Sequence, residues 1–267
     1  MRLLDYHLHT SFSGDCNVHM EDVIRKAISK GVREIALTDH VDYDYPDSNN
    51  PFLIDFDVYI NEFNELKEKY NKEINMKLGV EIGYQPHIED KINQLISNYP
   101  FDFVICSSHT ADKLDFLNGD FFTGKTQKNA YLRYFENVLY GVKHFQNYDV
   151  YGHLDFINRY GNYENKLLSY LDFADIVDTI LQNIINTNHG IEINTSGFRY
   201  GLGQTHPHFD IIKRYKELGG EILTLGSDAH LTRDITSHFD IVIEYLQSIN
   251  FRYIATYKDR NPFFIKL

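Results

Sequence analysis

The chain has 267 residues, 43% of them hydrophobic, with 20 tyrosines, 19 phenylalanines, no tryptophan and a formal net charge of −12. That length suits one large domain such as an α/β barrel as well as two small ones, and the acidic balance without a basic run excludes nonspecific duplex binding, which needs a cationic surface. Two cysteines, Cys16 and Cys106, make no disulfide framework and point to a reducing cytoplasm, while the absence of an apolar signal core or of any stretch near ~18 apolar residues argues against a membrane partner.

The first strand is expected over 3–8. Period two puts Asp5, His7 and His9 on one face and Leu4, Tyr6 and Leu8 on the other. Imidazoles two residues apart can reach one metal ion from the same side. A polar loop, 10–17, carries Asp15 and Cys16. Met20, Val23, Ile24, Ala27 and Ile28 then follow helical spacing up to Gly31. A strand over 34–40 ends in Thr38-Asp-His40. The loop 41–57, holding Pro46 and Pro51, is long enough to shape a site.

The pattern repeats. A helix runs through Ile60, Phe63, Leu66 and Tyr70, and a strand over 76–83 brings Glu81 near its end. Ile88, Ile92, Leu95 and Ile96 mark a helix, and the strand 101–109 sets Phe103, Ile105, Ser107 and His109 on one face. After a loop and a long helix (Tyr131 to Val142), a strand over 150–155 contains His153, followed by a loop with Arg159. The helix from Phe173 to Ile185 stops at Gly190. The strand 191–195 leads to Arg199, and Pro207 suits the first turn of the next helix. A strand over 221–226 runs into Ser227-Asp-Ala-His230, with Asp228 and His230 again two apart. A last helix, 239–249, and a strand, 253–257, end the pattern.

Seven strand-then-helix units imply a mostly parallel sheet. With no linker or composition shift, one α/β barrel over residues 1–267 is expected, and a doubly wound open sheet is the alternative. The working face of such a barrel lies at the carboxyl ends of its strands. Six of the seven ends carry a ligand type: His7 with His9, His40, Glu81, His109, His153, and Asp228 with His230. Taken singly, each histidine reads better as a hydrogen-bonded core or surface residue; the whole set does not. Six histidines and two acids, before Asp15 is counted, are too many for one ion. They suit two or three divalent transition metals, with Glu81 as a bridge; Zn, Fe and Mn all accept imidazole and carboxylate. Clustered divalent ions generate hydroxide near neutral pH and clamp the oxygens of an ester, so phosphate ester hydrolysis is the expected chemistry. Arg159 and Arg199 suit a phosphoryl group as planar forks. No glycine-rich nucleotide loop, Gly-x-Ser-x-Gly elbow or Cys-x-x-Cys pair occurs.

The motifs His7-Leu-His9, Thr38-Asp-His40, Gly79-Val-Glu81, Ser108-His109, Gly152-His153 and Gly226-Ser-Asp-Ala-His230 together resemble the polymerase and histidinol phosphatase family. The resemblance implies a distorted (β/α)7 TIM-like barrel and a trinuclear metal site. One metal would take His7, His9, Glu81 and Asp228, a second Glu81, His109 and His153, and a third Asp15, His40 and His230. The stretches His153-Leu-Asp-Phe-Ile-Asn-Arg159, Asn194-Thr-Ser-Gly-Phe-Arg199 and His206-Pro207 are similar to the histidinol-phosphate phosphatase subgroup of histidine biosynthesis. That implies L-histidinol phosphate as substrate and the two arginines as its phosphate ligands. His206 is the candidate proton donor to the leaving group, and Asp15 a candidate to orient the nucleophile. A phosphoesterase acting on a nucleotide or a phosphotyrosine peptide, and a non-catalytic metal-binding module, are the rival readings.

Overall fold

The computed structural model describes residues 3–47 and 52–267; Pro51, expected in the long early loop, lies outside them. Seven strands pair in parallel in chain order: β1 (Leu3–Leu8), β2 (Val32–Leu37), β3 (Asn75–Gly83), β4 (Phe103–Ser107), β5 (Val150–Tyr151), β6 (Gly190–Asn194) and β7 (Leu223–Gly226). The helices Met20–Ser29, Phe56–Tyr70, Glu89–Asn98, Gln127–His144, Ala174–Asn186, Phe209–Glu217 and Phe239–Ser248 follow them one by one. The end of β7 reaches β1 through an isolated bridge between Leu8 and Ala229 and through bonds from the Asp228 N–H to the His7 carbonyl (2.8 Å) and from the His9 N–H to the Ala229 carbonyl (3.2 Å). The sheet therefore closes, irregularly, into a distorted (β/α)7 barrel and is not a doubly wound open sheet.

Local chemistry explains the elements. Met20, Val23, Ile24 and Ala27, three and four residues apart, form the buried stripe of the first helix, and Gly31 leaves it at φ 74°. Asp55 and Thr126 cap the second and fourth helices by accepting from the N–H groups of Val58 and Asn129. The barrel strands are buried nearly throughout, so they read as apolar runs.

The departures from expectation fall at the strand ends. β1 carries one residue more than β2 between Asp5 and Leu8, and such a bulge breaks strict alternation. Asp5 consequently parts from His7 and His9: its carboxylate accepts from the N–H groups of Ser227 and Thr236, both at 2.9 Å. The strand expected over 150–155 stops at Tyr151, because His153 leaves extended backbone at φ 22°. β7 ends at Gly226 and Asp228 sits at φ 53°, so Asp228 and His230 are not paired by strand parity. His40 and Val41 break from β2 but regain pairing, with Glu81 and Ile82.

The strand expected over 253–257 forms, as Tyr253–Lys258, yet it does not join the barrel. It pairs antiparallel with Asn261–Lys266. This hairpin covers the amino ends of the strands. Tyr257 N–H donates to the Tyr6 hydroxyl (2.8 Å), Asp259 N–H to Asp102 (3.2 Å), and Arg260 Nε to Asp149 (2.5 Å). The rings of Tyr6 and Tyr257 pack on Phe103 with centroids 5.1 and 4.8 Å away. Polar chemistry is thus left to the carboxyl ends. Among the described residues no helix is long and apolar enough to cross a membrane.

Candidate metal centre and active-site cleft

Glu81, fully buried on β3, is the hub. Its Oε1 accepts from Ser107 Oγ (2.7 Å) and lies 3.2 Å from His109 Nε2 and 2.8 Å from His153 Nε2. Its Oε2 lies 3.0 Å from both His7 Nε2 and His40 Nδ1, and 3.6 Å from His9 Nε2. His9 Nε2 is in turn 3.4 Å from Asp228 Oδ1. At the mouth, Asp15 Oδ2 stands 3.2 Å from His230 Nε2 and 3.8 Å from His40 Nε2. The fold therefore gathers all nine residues singled out in the sequence, from six strand ends and one loop, into one cluster.

The donor atoms fit metal ions. His7 Nε2, His9 Nε2, His40 Nδ1, His230 Nε2 and Glu81 Oε2 are buried and make no hydrogen bond to a described residue. A packed polar core would not leave so many groups unsatisfied in one place. Four overlapping trios (His7–His9–Glu81, His9–His40–His230, Glu81–His109–His153 and His40–Asp42–His109) have ligand atoms within 4.8 Å of one another. Ligands bound at about 2.1 Å in a tetrahedron stand roughly 3.4 Å apart, the range of the contacts around His7, His9, Glu81 and Asp228.

Electrostatics favour the ligating forms. Burial alone would raise the Glu81 carboxyl, but His7, His40 and His109 around it hold it well below the usual carboxylate range. Burial, then His230 and His40, push His9 well below the ordinary imidazole value, leaving it neutral. Burial works the same way on His7, yet Glu192 and Glu81 outweigh it and raise that imidazole well above its ordinary value. An ionised carboxylate and neutral imidazoles are the forms that bind metal, and a basic imidazole exchanges its proton for the ion.

The cluster floors a cleft of about 270 Å³, whose walls include Phe52, Phe116, Tyr160, Tyr200 and Arg159. A larger, more apolar groove of about 510 Å³ lies between the hairpin and the barrel's amino end, and no histidine lines it. The two arginines part company here. Arg159 lines the cleft, with Nη2 2.9 Å from Asp228 Oδ2. Arg199 does not line it: Nη1 and Nη2 donate to the carbonyls of Ser227 (2.7 Å) and Asp228 (2.6 Å). His206, expected as a proton donor, is fully buried off the cleft. Its Nδ1 is 2.6 Å from Asp155 and its Nε2 accepts from Arg159 Nε (3.2 Å).

A family model described as the PHP domain matches residues 5–196. The chain belongs to the PHP domain family. It is 33% identical over 234 residues to a histidinol-phosphatase of Lactococcus lactis subsp. lactis, covering 87% of this chain and 86% of the relative. It is 32% identical over 251 residues to a probable histidinol-phosphatase of Clostridium acetobutylicum, covering 94% and 95% of the two chains. The crystal structure of a histidinol phosphate phosphatase from L. lactis, complexed with zinc, L-histidinol and phosphate, superposes with a TM-score of 0.93 at 30% identity, over 98% of this chain and 99% of that one.

Around the PHP cluster the fold adds residues that sequence reading missed. Glu192 on β6 lies 2.5 Å from His7 Nδ1, Asp42 lies 2.7 Å from His109 Nδ1, and Ser13 Oγ, which donates to Asp39 (2.7 Å), is 3.0 Å from His9 Nδ1. Each contact fixes a tautomer and a ring orientation, so that the other nitrogen faces the cluster. Two glycines make room: a Cβ on Gly226 would collide with His7 and Glu192, and one on Gly83 with Asp42. Glu192 had a legible signal, a charge inside the apolar run Ile191-Glu-Ile193. Asp42 had one too, since it stands two residues past His40.

Proposed function

We propose that this chain hydrolyses L-histidinol phosphate to L-histidinol and inorganic phosphate, using two or three divalent ions. The observation that carries the reading is the juxtaposition of Arg159 with Asp228 at the edge of the histidine cluster. A guanidinium there would meet the phosphoryl oxygens of an ester whose reacting atom sits over the cluster. The L. lactis relative crystallised with zinc, L-histidinol and phosphate supports the same substrate.

His7, His9, Glu81 and Asp228 would hold one ion, Glu81, His109 and His153 a second, and Asp15, His40 and His230 a third. Zinc, iron and manganese all suit this donor set. When bound, such ions supply a hydroxide nucleophile near neutral pH and offset charge on the ester oxygens. The chain's own groups do the positioning. The planar fork of Arg159 orients the phosphoryl group and offsets its developing charge. Arg199 meets the same group only by exchanging its two carbonyl bonds. Asp15, with a partly exposed side chain at the mouth, would orient the attacking oxygen. Phe52, Phe116, Tyr160 and Tyr200 give the cleft aromatic walls, and Asp115 lies beside them, accepting from the Tyr45 hydroxyl at 2.9 Å. That lining suits a leaving group that carries an ammonium and an imidazole.

The test is phosphate release by metal-replete protein from L-histidinol phosphate, from nucleoside monophosphates and from a phosphotyrosine peptide, with metal content measured on the same sample. The expected result is a clear preference in kcat/KM for L-histidinol phosphate and more than one metal equivalent. Equal or faster turnover of a nucleotide or the peptide would overturn the substrate. No turnover of any ester by fully loaded protein would favour a metal-binding module without catalysis.

A further inference from the structure

Asp155, His206 and Arg159 form a buried chain of contacts that metal ligation does not use. The His206 backbone is clamped to the end of β6: its N–H donates to the Asn194 carbonyl (2.8 Å), and the Asn194 N–H donates to the His206 carbonyl (2.7 Å). Its ring is fixed as well, with Nδ1 2.6 Å from Asp155 Oδ1. Asp155 is itself fully buried, and its Oδ2 accepts from the His208 N–H (2.9 Å) and Asn158 Nδ2 (3.0 Å). A carboxylate at Nδ1 selects the tautomer that carries its proton there. Nε2 then offers a lone pair, and it accepts from Arg159 Nε at 3.2 Å.

The rest of the guanidinium is equally constrained. Its carbon lies 4.5 Å from the ring centre of Phe156 and 4.3 Å from that of Tyr200. Nη2 donates to Ser196 Oγ and to Asp228 Oδ2. Nη1 makes no hydrogen bond to a described residue and belongs to a side chain that lines the cleft. A ring nitrogen that receives a guanidinium N–H has no proton to give, and a protonated His206 would set two cations face to face.

We propose that His206, oriented by Asp155, is a positioning residue: it holds the Arg159 guanidinium at the angle and depth that present Nη1 to the phosphoryl group, and it does not protonate the leaving oxygen. This rests on the phosphatase reading above. Loss of the Nε anchor frees a long side chain whose useful geometry is narrow, so His206→Ala is expected to lower kcat/KM roughly tenfold or more.

The experiment compares the parent, His206→Ala, Arg159→Ala and the double variant, each with metal content measured. The substrates are L-histidinol phosphate and p-nitrophenyl phosphate, whose phenolate leaves without a proton, and inorganic phosphate serves as a competitive probe. Positioning predicts the same factor lost on both esters, weaker inhibition by phosphate, unchanged metal content, and no further loss when His206→Ala is added to Arg159→Ala. His206→Gln, which restores an acceptor for Arg159 Nε, should recover part of the loss, and it carries the comparison if the alanine variant fails to fold. A loss confined to the alkyl ester with phosphate inhibition unchanged would make His206 the proton donor, and losses that multiply in the double variant would sever it from Arg159. Either result overturns the proposal. A parent that cleaves the aryl ester but not L-histidinol phosphate would instead sink the substrate assignment and leave the arginine comparison readable.

Discussion

The two ends of this barrel both bury carboxylates, and they treat them in opposite ways. At the amino end each acid has a conventional partner. Asp149 accepts from the Val104 N–H (2.7 Å) and from Arg260, and Asp102 accepts from the Leu78 (3.1 Å) and Asp259 N–H groups. At the carboxyl end Glu81 is ringed by imidazoles, several of which meet it at charge-contact distance without hydrogen-bond geometry. The first arrangement is satisfied by the chain alone and holds the hairpin on. The second leaves His7 Nε2, His9 Nε2, His40 Nδ1 and Glu81 Oε2 without a hydrogen bond to a described residue, a donor set that suits added cations. Stability and chemistry are thus divided between the ends, as the parallel barrel favours.

The largest expected effect breaks the upper end at its hub. Glu81→Gln keeps the shape but removes one negative charge and one of the two oxygens that face the imidazoles. Metal content should fall and turnover should drop by at least about a hundredfold, since even outer partners of metal ligands are worth about 10–100-fold, while circular dichroism stays that of the parent. Full metal occupancy with near-parent turnover would remove Glu81 from the centre.

Next come the groups that orient the clustered imidazoles. Glu192→Gln leaves an acceptor beside His7 but takes away the charge that makes that imidazole basic. A loss of about tenfold or more in metal affinity is expected, read by titration against a chelator. An affinity equal to the parent's would reduce Glu192 to packing.

The arginines sharpen the contrast within the upper end. Arg159→Ala removes charge-assisted bonds of roughly 1.5–3 kcal/mol, which is about one to two decades in kcat/KM. Metal content should hold, and lysine should recover only part because it lacks the planar fork. Arg199→Ala releases the Ser227 and Asp228 carbonyls, so a smaller loss is expected, accompanied by weaker metal retention at Asp228. Equal losses for the two variants with unchanged metal would show that Arg199 leaves those carbonyls to grip the phosphate.

The smallest effect on catalysis is expected at the lower end. Arg260→Ala removes the partner of buried Asp149, a hydrogen bond to a charged group worth about 1.5–3 kcal/mol. Thermal unfolding should move down by several degrees, at about 2–4 °C per kcal/mol for a chain of this size, with kcat unchanged at 25 °C. A fall in kcat without a fall in Tm would mean that the ends are not independent.

Much of this was legible in residue order. Period and punctuation located seven strand–helix units, and the ligand types at their ends located the cluster, because a parallel barrel puts every carboxyl end on one face. What failed to be legible was whatever depends on leaving the strand. Parity paired Asp5 with His7 and Asp228 with His230, but a bulge and a left-handed backbone decide those positions. The final strand looked like the others, yet only its antiparallel partner shows that it lies outside the barrel. Arg159 and Arg199 were equivalent as loop residues past strand ends. Which one lines the cleft depends on the carbonyls and rings that each finds nearby.

The sequence by itself determined the strand–helix order and marked the polar residues at the strand ends that the fold gathers, since both follow from short-range pattern: hydrophobic period, turn residues and side-chain type at each strand end. Tertiary structure alone decided the second layer. Glu192 against His7, Asp42 against His109, and Asp155 through His206 to Arg159 join residues 185, 67 and up to 51 positions apart. Such pairs leave no local periodicity, because what brings them together is closure of the barrel and not the run of the chain.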